Sequence, residues 1–583
     1  MNERKKLLLT LLNHGSTSLT GEPLRAGLFE FSWWPNKETR QQERRGQRRK
    51  MSYDLAKMLR QRSGGGGFHH LHEFRRRMPQ TACLFVLGFL LFGFFFGPRL
   101  VTPGNEGRVS VWFPIRGGVD SHGNGGAEDW TSRVVAKPAK PTKPPVVPAR
   151  PLPTKAHINC SGSNLCSAFP GQRGGVKWDP DSNPGCPAYF GFIYEDLKPW
   201  RTSGITLEMV ETFKERASFR LTIVDGRMYI HQYSKCFQTR DVFSIWGFTQ
   251  LMEYYPGLVP DLDLMFDCVD WPIIKAAQYG DSNPPPPLFR YCADDSTLDI
   301  AFPDWSFWGW AEINIRPWQG LLDEIGKGTK KIEWEDRDPT AYWKGNPFVA
   351  DVRKDLLKCN ASQDKDWNAR LYIQDWIKEN QEGYKQSKLA DQCDHRYKIY
   401  VEGSAWSVSL KNILACDSTT LMLKPQYYDF FSRRLLPLEH YWPVALDHKC
   451  ESIKVAVDWG NNNTGKAKAI GKAASKFIKN EVNMRNVYDY MFHLLREYSK
   501  LLRYKPSVPK GAKEVCTRSM YCTRRERVER RFMLESMIRS PSQSGPCNLP
   551  SPATSYEFLK DWEDRKAKAL QRVEEMERKA RES

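Results

Sequence analysis

The order of apolar and polar positions along the chain predicts a mixed α/β fold. From Phe219 to His231, two alternating runs flank Asp225-Gly226, a dipeptide typical of a tight hairpin turn. From Asp261 to Asp270, apolar side chains occupy every second position, which predicts a strand that ends at Trp271-Pro272. Both segments are therefore expected to form strands.

Further along, the pattern predicts a strand–helix–strand unit. Lys398–Glu402 and Thr419–Lys424 have the composition of strands, and the segment 408–415 between them is predicted to be a short helix. From Val487 to Leu502, apolar residues recur at the spacing of one face of a long helix. Residues 555–583 are highly charged and predict a solvated helix.

One apolar run changes the expected topology. Thr81 to Gly97 holds seventeen residues without a charge, which predicts a short transmembrane helix. Arg75, Arg76 and Arg77 precede it, so the positive-inside rule places the N-terminus in the cytosol and the rest in the lumen. A cleaved signal peptide fits poorly because about eighty residues precede the run. A buried core helix is the other alternative.

Charge and composition divide the chain into segments. Residues 1–80 hold 17 lysines and arginines against 7 acidic residues, so 10 of the 19 net positive charges lie there. A basic tail beside an apolar run indicates membrane orientation, and no recognition motif supports a nucleic-acid partner. The predicted segments are a basic cytosolic tail (1–77), a membrane anchor (78–100), a proline-rich stem (101–155), a globular region (156–547) and a charged helix (548–583).

The cysteines favour an oxidising compartment for the globular region. No cysteine precedes Cys83 in the apolar run, and the other thirteen lie from Cys160 to Cys547. Thirteen is odd, so at least one thiol is expected to be free or paired with another chain. The N-glycosylation sequons at Asn159, Asn360 and Asn462 all follow the apolar run. The predicted location is the endoplasmic reticulum or Golgi membrane, as a single-pass type II protein with a lumenal globular region.

Asp270 is the first candidate for chemistry. It ends a predicted strand, and open α/β sheets bind ligands at the carboxyl ends of their strands. An aspartate there could act as the base that deprotonates an acceptor hydroxyl during sugar transfer with inversion. The alternative is a strand-ending aspartate that bonds only backbone amides.

An aromatic segment, Phe302 to Trp310, is the second candidate. Trp305 and Trp308 could stack on sugar rings while Ser306 bonds sugar hydroxyls, since sugars present C–H faces to indoles. Core packing is the alternative for all three residues.

The strand–helix–strand unit is a candidate diphosphate site, and an ordinary helix N-cap is the alternative. Ser407 or a neighbour would cap the helix, whose free backbone amides could hold phosphate, and Lys411 in its first turn would add charge. Lys344, beside Gly345, is a third possible phosphate contact, and a solvated surface lysine is the alternative. Four Asp-x-Asp pairs match the spacing of metal-dependent sugar transfer, but none follows an apolar strand, so no metal site is predicted: Asp179/Asp181, Asp261/Asp263, Asp336/Asp338 and Asp364/Asp366.

Five ordered blocks between about 160 and 505 carry a family resemblance. They are PDLDLMFDCVDWP, FPDWSFWGWAEINIRPW, AYWKGNP, CDHRYKIYVEGSAWSVSLKNILACDSTTLMLKP and YYDFFSRRLLPLEHYWPV. The chain resembles the Rumi-type protein O-glucosyltransferases and capsule-associated xylosyltransferases, and is most similar to their plant branch. The resemblance implies a GT-B fold with two Rossmann-like domains facing a cleft, UDP-glucose or UDP-xylose as donor, inversion, and neither a metal nor another cofactor.

The resemblance also assigns residues. It implies that Asp270 is the catalytic base and that Lys344, Gly345, Ser407 and Lys411 contribute to the donor site. Animal members have an arginine in each donor block. Lys344 replaces one here, and Ser409 stands about where the other would be.

A disulfide and a function follow from the same resemblance. Cys393 and Cys416 have the spacing of a family disulfide and bracket the strand–helix unit. The implied activity is transfer of glucose or xylose to a hydroxyl of a protein or polysaccharide in the secretory pathway, by the region 156–547. The alternative from another class is an inactive lectin-like or scaffold protein on the same fold.

Overall fold

The computed structural model describes residues 158–162, 165–166, 178 and 183–582. The predicted tail, membrane anchor and stem lie outside the described residues, and so does the apolar run 81–97. Within the described ranges, no helix is both long and apolar enough to cross a membrane.

The described residues form thirteen α-helices and thirteen strands. The α-helices are α1 (Phe192–Asp196), α2 (Leu207–Glu211), α3 (Arg240–Tyr254), α4 (Trp318–Thr329), α5 (Asp351–Leu356), α6 (Trp376–Gln381), α7 (Ser409–Leu414), α8 (Lys449–Asn462), α9 (Thr464–Glu481), α10 (Met484–Ser499), α11 (Thr517–Cys522), α12 (Arg527–Ser536) and α13 (Pro552–Glu582). The strands are β1 (Phe219–Val224), β2 (Arg227–Gln232), β3 (Leu262–Phe266), β4 (Phe289–Arg290), β5 (Ala293–Asp294), β6 (Ile300–Ala301), β7 (Asp338–Gly345), β8 (Ala369–Ile373), β9 (His395–Tyr400), β10 (Thr419–Leu423), β11 (Tyr427–Tyr428), β12 (Trp442–Val444) and β13 (Lys513–Val515).

The first sheet is mixed. Its order is β13-β2-β1-β3-β4-β6, with antiparallel pairs from β13 to β3 and parallel pairs from β3 to β6. The predicted hairpin is confirmed as β1–β2. Asp225 and Gly226 both have positive φ (50° and 71°), which a two-residue turn matching the strand twist requires.

The second sheet is entirely parallel. Its order is β12-β10-β9-β7-β8, and β9, α7 and β10 form the predicted strand–helix–strand unit. The α/β class is thereby confirmed. A short antiparallel pair, β5 with β11, joins the chain after β10 to the segment after β4.

The long predicted helix is confirmed as α10, whose apolar face lies in the core. Four residues on that face are fully buried: Val487, Met491, Leu494 and Tyr498. The helix ends at Ser499, so Leu502 lies beyond it.

The predicted charged C-terminal helix is present as α13, and most of its residues are exposed, but one face is buried. In α13, Leu559, Trp562 and Val573 are buried, and the indole of Trp562 donates to the carbonyl of Arg434. Because apolar contacts hold one face of α13 against the body, only its other faces meet solvent.

Six disulfides connect the described cysteines, and the predicted Cys393–Cys416 bond is among them, with a Cα–Cα distance of 5.1 Å. Cys292 is the free cysteine of the described residues and is buried, as the odd count required. The other pairs are Cys160–Cys522, Cys166–Cys516, Cys186–Cys547, Cys236–Cys268 and Cys359–Cys450. Such a set is typical of proteins folded in an oxidising compartment.

Candidate active site

Asp270 lies in a loop after β3, four residues beyond the end of the strand at Phe266. The predicted strand was too long because the backbone N–H of Cys268 bonds the hydroxyl of Ser218 and so leaves the strand ladder. The Asp270 side chain is 22% exposed, and its neighbours Val269 and Trp271 are each 49% exposed. The carboxylate is therefore accessible to a substrate at the carboxyl edge of the first sheet.

Arg240, at the start of α3, holds this carboxylate. Its Nη1 lies 2.5 Å from Oδ1 of Asp270, and its guanidinium lies 4.4 Å from the ring centroid of Trp305. Sequence reasoning missed Arg240, which stands thirty positions before its partner in no recognisable motif.

The aromatic segment is buried rather than exposed. Trp305 and Ser306 are 1% exposed and Trp308 is 0% exposed, and the Trp308 indole donates to the hydroxyl of Tyr488 at 3.0 Å. This burial favours the core-packing alternative over stacking on a sugar. Trp305 nevertheless reaches the site indirectly, through its contact with Arg240.

Lys411 is also buried and binds this aromatic segment. Its Nζ lies 2.6 Å from the hydroxyl of Ser306 and 3.4 Å from a carboxylate oxygen of Asp304. Asp304 in turn accepts from the backbone N–H of Ser306. The lysine therefore ties α7 of the parallel unit to the aromatic segment, and Asp304 balances its charge.

Ser407 and Ser409 lie at the start of α7 with their hydroxyls 2.9 Å apart. Val408 rather than Ser407 is the N-cap residue of this helix. Arg353 donates to the Ser407 hydroxyl at 3.1 Å and to the carbonyls of Val401 and Glu402. Arg353, which sequence reasoning also missed, therefore fixes the loop after β9.

Lys344 and Gly345 end β7, the strand beside β9. Lys344 donates to the carbonyl of Gln386 at 2.7 Å, and partial burial lowers the pKa of its ammonium. A Cβ on Gly345 would come within 2.5 Å of the Trp343 ring, so a larger residue would displace that ring. Neighbouring parallel strands thus bring Lys344, Gly345, Ser407 and Ser409 to one edge of the sheet.

Glu402, at the same edge, has an unusual carboxyl group. Burial raises its pKa to about 7, although it accepts hydrogen bonds from the backbone N–H groups of Gln426 and Tyr427. Tyr427 pairs with Asp294 in the short β5–β11 ladder. Glu402 thereby links the loop after β9 to the segment that joins the two sheets.

In two of the Asp-x-Asp pairs within the described ranges, one aspartate forms an ion pair with an arginine. Asp263 is buried against Arg220, and Asp366 binds Arg370 through both oxygens. Asp338 of a third pair bonds Thr340, and Asp179/Asp181 lie outside the described residues. Cys186, His493 and Cys547 approach one another closely, but the two sulfurs form a disulfide and offer no thiolate.

The three sequons differ in accessibility. Asn159 and Asn462 are exposed. The Asn360 side chain is half-buried and bonds both the N–H and the carbonyl of Leu371. Asn159 and Asn462 are therefore better placed than Asn360 to carry a glycan.

The described residues form an α/β fold with one parallel sheet and a partly exposed, arginine-held aspartate. Similarity to known proteins identifies the chain as a glycosyltransferase. The chain belongs to glycosyl transferase family 90, whose profile matches residues 181–577.

Named relatives give the same class. Protein O-glucosyltransferase 1 of Bos taurus is 26% identical over 356 residues, which cover 58% of this chain and 86% of the bovine protein. The human protein of that name is 25% identical over 356 residues, which again cover 58% of this chain and 86% of the human protein. O-glucosyltransferase rumi of Drosophila melanogaster is 24% identical over 346 residues, covering 56% of this chain and 80% of the fly protein.

Proposed function

We propose that the chain transfers glucose or xylose from a UDP-sugar to a hydroxyl of a protein or glycan, with inversion and without a metal ion. The observation that carries the proposal is the Asp270 carboxylate, accessible on a loop yet held by Arg240 through one oxygen. An inverting transfer needs one such base and no covalent intermediate.

The proposed step has a single displacement. The acceptor hydroxyl oxygen forms a bond to the anomeric carbon while its proton passes to Asp270. The bond from that carbon to the UDP oxygen breaks, and its electron pair leaves with UDP. Because the attack comes from the face opposite UDP, the configuration at the anomeric carbon inverts.

The donor would bind at the carboxyl edge of the parallel sheet, in the GT-B arrangement of two facing lobes. Ser407 and Ser409 offer hydroxyls at the start of α7, in the connection after β9, and Lys344 at the end of β7 would contact phosphate after leaving the Gln386 carbonyl. Gly345 would allow close approach of the diphosphate. Lys411, paired with Asp304, would hold α7 in place rather than bind phosphate.

The disulfides and the relatives support the compartment and acceptor. Six disulfides favour the lumen of the endoplasmic reticulum or Golgi as the compartment. The proposed type II anchor at 78–100 would place the disulfide-bonded region on that side of the membrane. The relatives are named protein O-glucosyltransferases, which favours a protein hydroxyl as acceptor.

Release of UDP from UDP-glucose, UDP-xylose and UDP-galactose, each with and without EDTA, tests this function. We expect release from UDP-glucose or UDP-xylose, unchanged by EDTA, because arginines already occupy Asp263 and Asp366. Release that stops with EDTA and returns with Mn²⁺ would contradict metal independence. Release from UDP-galactose alone would contradict the donor assignment.

A further inference from the structure

Side chains from other elements hold the backbone of the loop that carries Asp270. Four consecutive carbonyl groups, from Cys268 to Trp271, each accept a hydrogen bond from such a side chain. The donors are Arg240 to Cys268 at 3.1 Å, Arg290 to Val269 at 3.2 Å, Cys292 to Asp270 at 3.1 Å, and Arg290 again to Trp271. Loops usually run over the protein surface, so four consecutive carbonyls bonded by side chains hold this loop more firmly than water would.

Arg290 holds the loop on its buried side. It is 1% exposed and forms ion pairs with Asp267 and Asp299, and Asp299 also accepts from the backbone N–H groups of Ile273 and Ile274. Removing one partner from a buried ion pair leaves the others uncompensated, so Arg290 is mainly required for folding.

Arg240 differs because it reaches the carboxylate itself. Its Nη1 bonds both the carbonyl of Cys268 and Oδ1 of Asp270, so it joins the loop backbone to the side chain. The face of Trp305 supports the guanidinium from one side. Within the described residues, Oδ2 of Asp270 has no hydrogen-bond partner.

We propose that Arg240 is a positioning residue for the transfer, and this rests on the proposed role of Asp270 as base. Arg240 holds Oδ1 and fixes the rotation of the carboxylate, which leaves Oδ2 as the oxygen that accepts the acceptor proton. A charge-assisted bond of this kind fixes geometry more firmly than a neutral one.

Substitution of Arg240 gives the first test. We expect Arg240→Gln to lower kcat by about 10²-fold, the cost of misplacing a reacting group by roughly 1 Å, with little change in KM for the donor or in UDP affinity. Arg240→Lys keeps the charge and should restore part of the loss. Arg220→Gln is the matched control: it breaks the buried Arg220–Asp263 pair at the other end of β3 and should lower the melting temperature without lowering kcat.

A double-variant cycle separates positioning from other roles. If Arg240 acts through Asp270, adding Arg240→Gln to Asp270→Asn should change the residual rate by no more than about twofold. A difference of that size is the usual error with which the effects of independent substitutions add. A full further loss in that background would overturn the proposal, as would an Arg240→Gln variant with normal kcat. If Asp270→Asn itself kept normal turnover, the proposed base would fail instead, whatever Arg240 does.

Discussion

Replacing Asp270 with asparagine should lower kcat for sugar transfer by about 10²- to 10⁴-fold, the usual contribution of a general base. Asparagine has nearly the same shape and retains an oxygen that can accept from Arg240, so the loop should keep its conformation. It has lost the carboxylate that takes up the proton. Steady-state kinetics of the purified protein, together with its melting temperature and UDP affinity, measure all three properties.

Asp261→Asn provides the control for this experiment. Asp261 lies just before β3, where its carboxylate accepts from the backbone N–H of Asp225, far along the strand from Asp270. This variant should keep normal turnover. Normal turnover in Asp270→Asn as well would show that another group takes the proton.

Loss of the Cys393–Cys416 disulfide should have the second large effect. Replacing both cysteines with alanine opens a link across 23 positions, which in the chain-entropy model lowers the free energy of unfolding by about 3 kcal/mol. The bond connects the start of β9 to the end of α7, so its loss should also loosen Ser407 and Ser409 and weaken UDP binding. Urea denaturation and UDP titration measure the two effects.

The Cys359–Cys450 disulfide gives a matched comparison. It spans 91 positions, so its removal should lower the free energy of unfolding by between about 4 and 5 kcal/mol. It joins the segment after α5 to α8, and α5 carries Arg353, which bonds Ser407. Because Cys393–Cys416 instead brackets Ser407 and Ser409 directly, loss of Cys359–Cys450 should weaken UDP binding by the folded protein less. Equal loss of UDP affinity in both variants would contradict a specific role for Cys393–Cys416.

The parts of the fold that depend on residues close together in the sequence could be predicted from the sequence. Asp225-Gly226 determines its hairpin turn locally, and the β9–α7–β10 unit follows from the order of apolar runs. The packing of α13 could not be predicted, because Leu559, Trp562 and Val573 are few among many charged residues. Their burial depends on partners such as Arg434, more than a hundred positions away.

The candidate site shows the same division. Asp270 could be proposed as a candidate from sequence because a carboxylate after an apolar strand is a local signal. Two pairings in the site could not be predicted, because no local pattern indicates them. Arg240 and Asp270 are 30 positions apart, and Lys411 and Asp304 are 107 positions apart. The burial of Trp305 and Trp308 likewise depends on α3 and α10 packing around them, as the close approach of Gly247 and Tyr488 to Trp308 shows.

The configuration of the product shows whether the sugar is transferred in a single displacement assisted by Asp270. Proton NMR of the sugar transferred from UDP-glucose or UDP-xylose, whose anomeric bond is α, reports the linkage formed by the purified protein. A single displacement assisted by Asp270 predicts a β-linked product, formed by the wild type and not by Asp270→Asn. An α-linked product would contradict the inverting mechanism and the role of Asp270 in it.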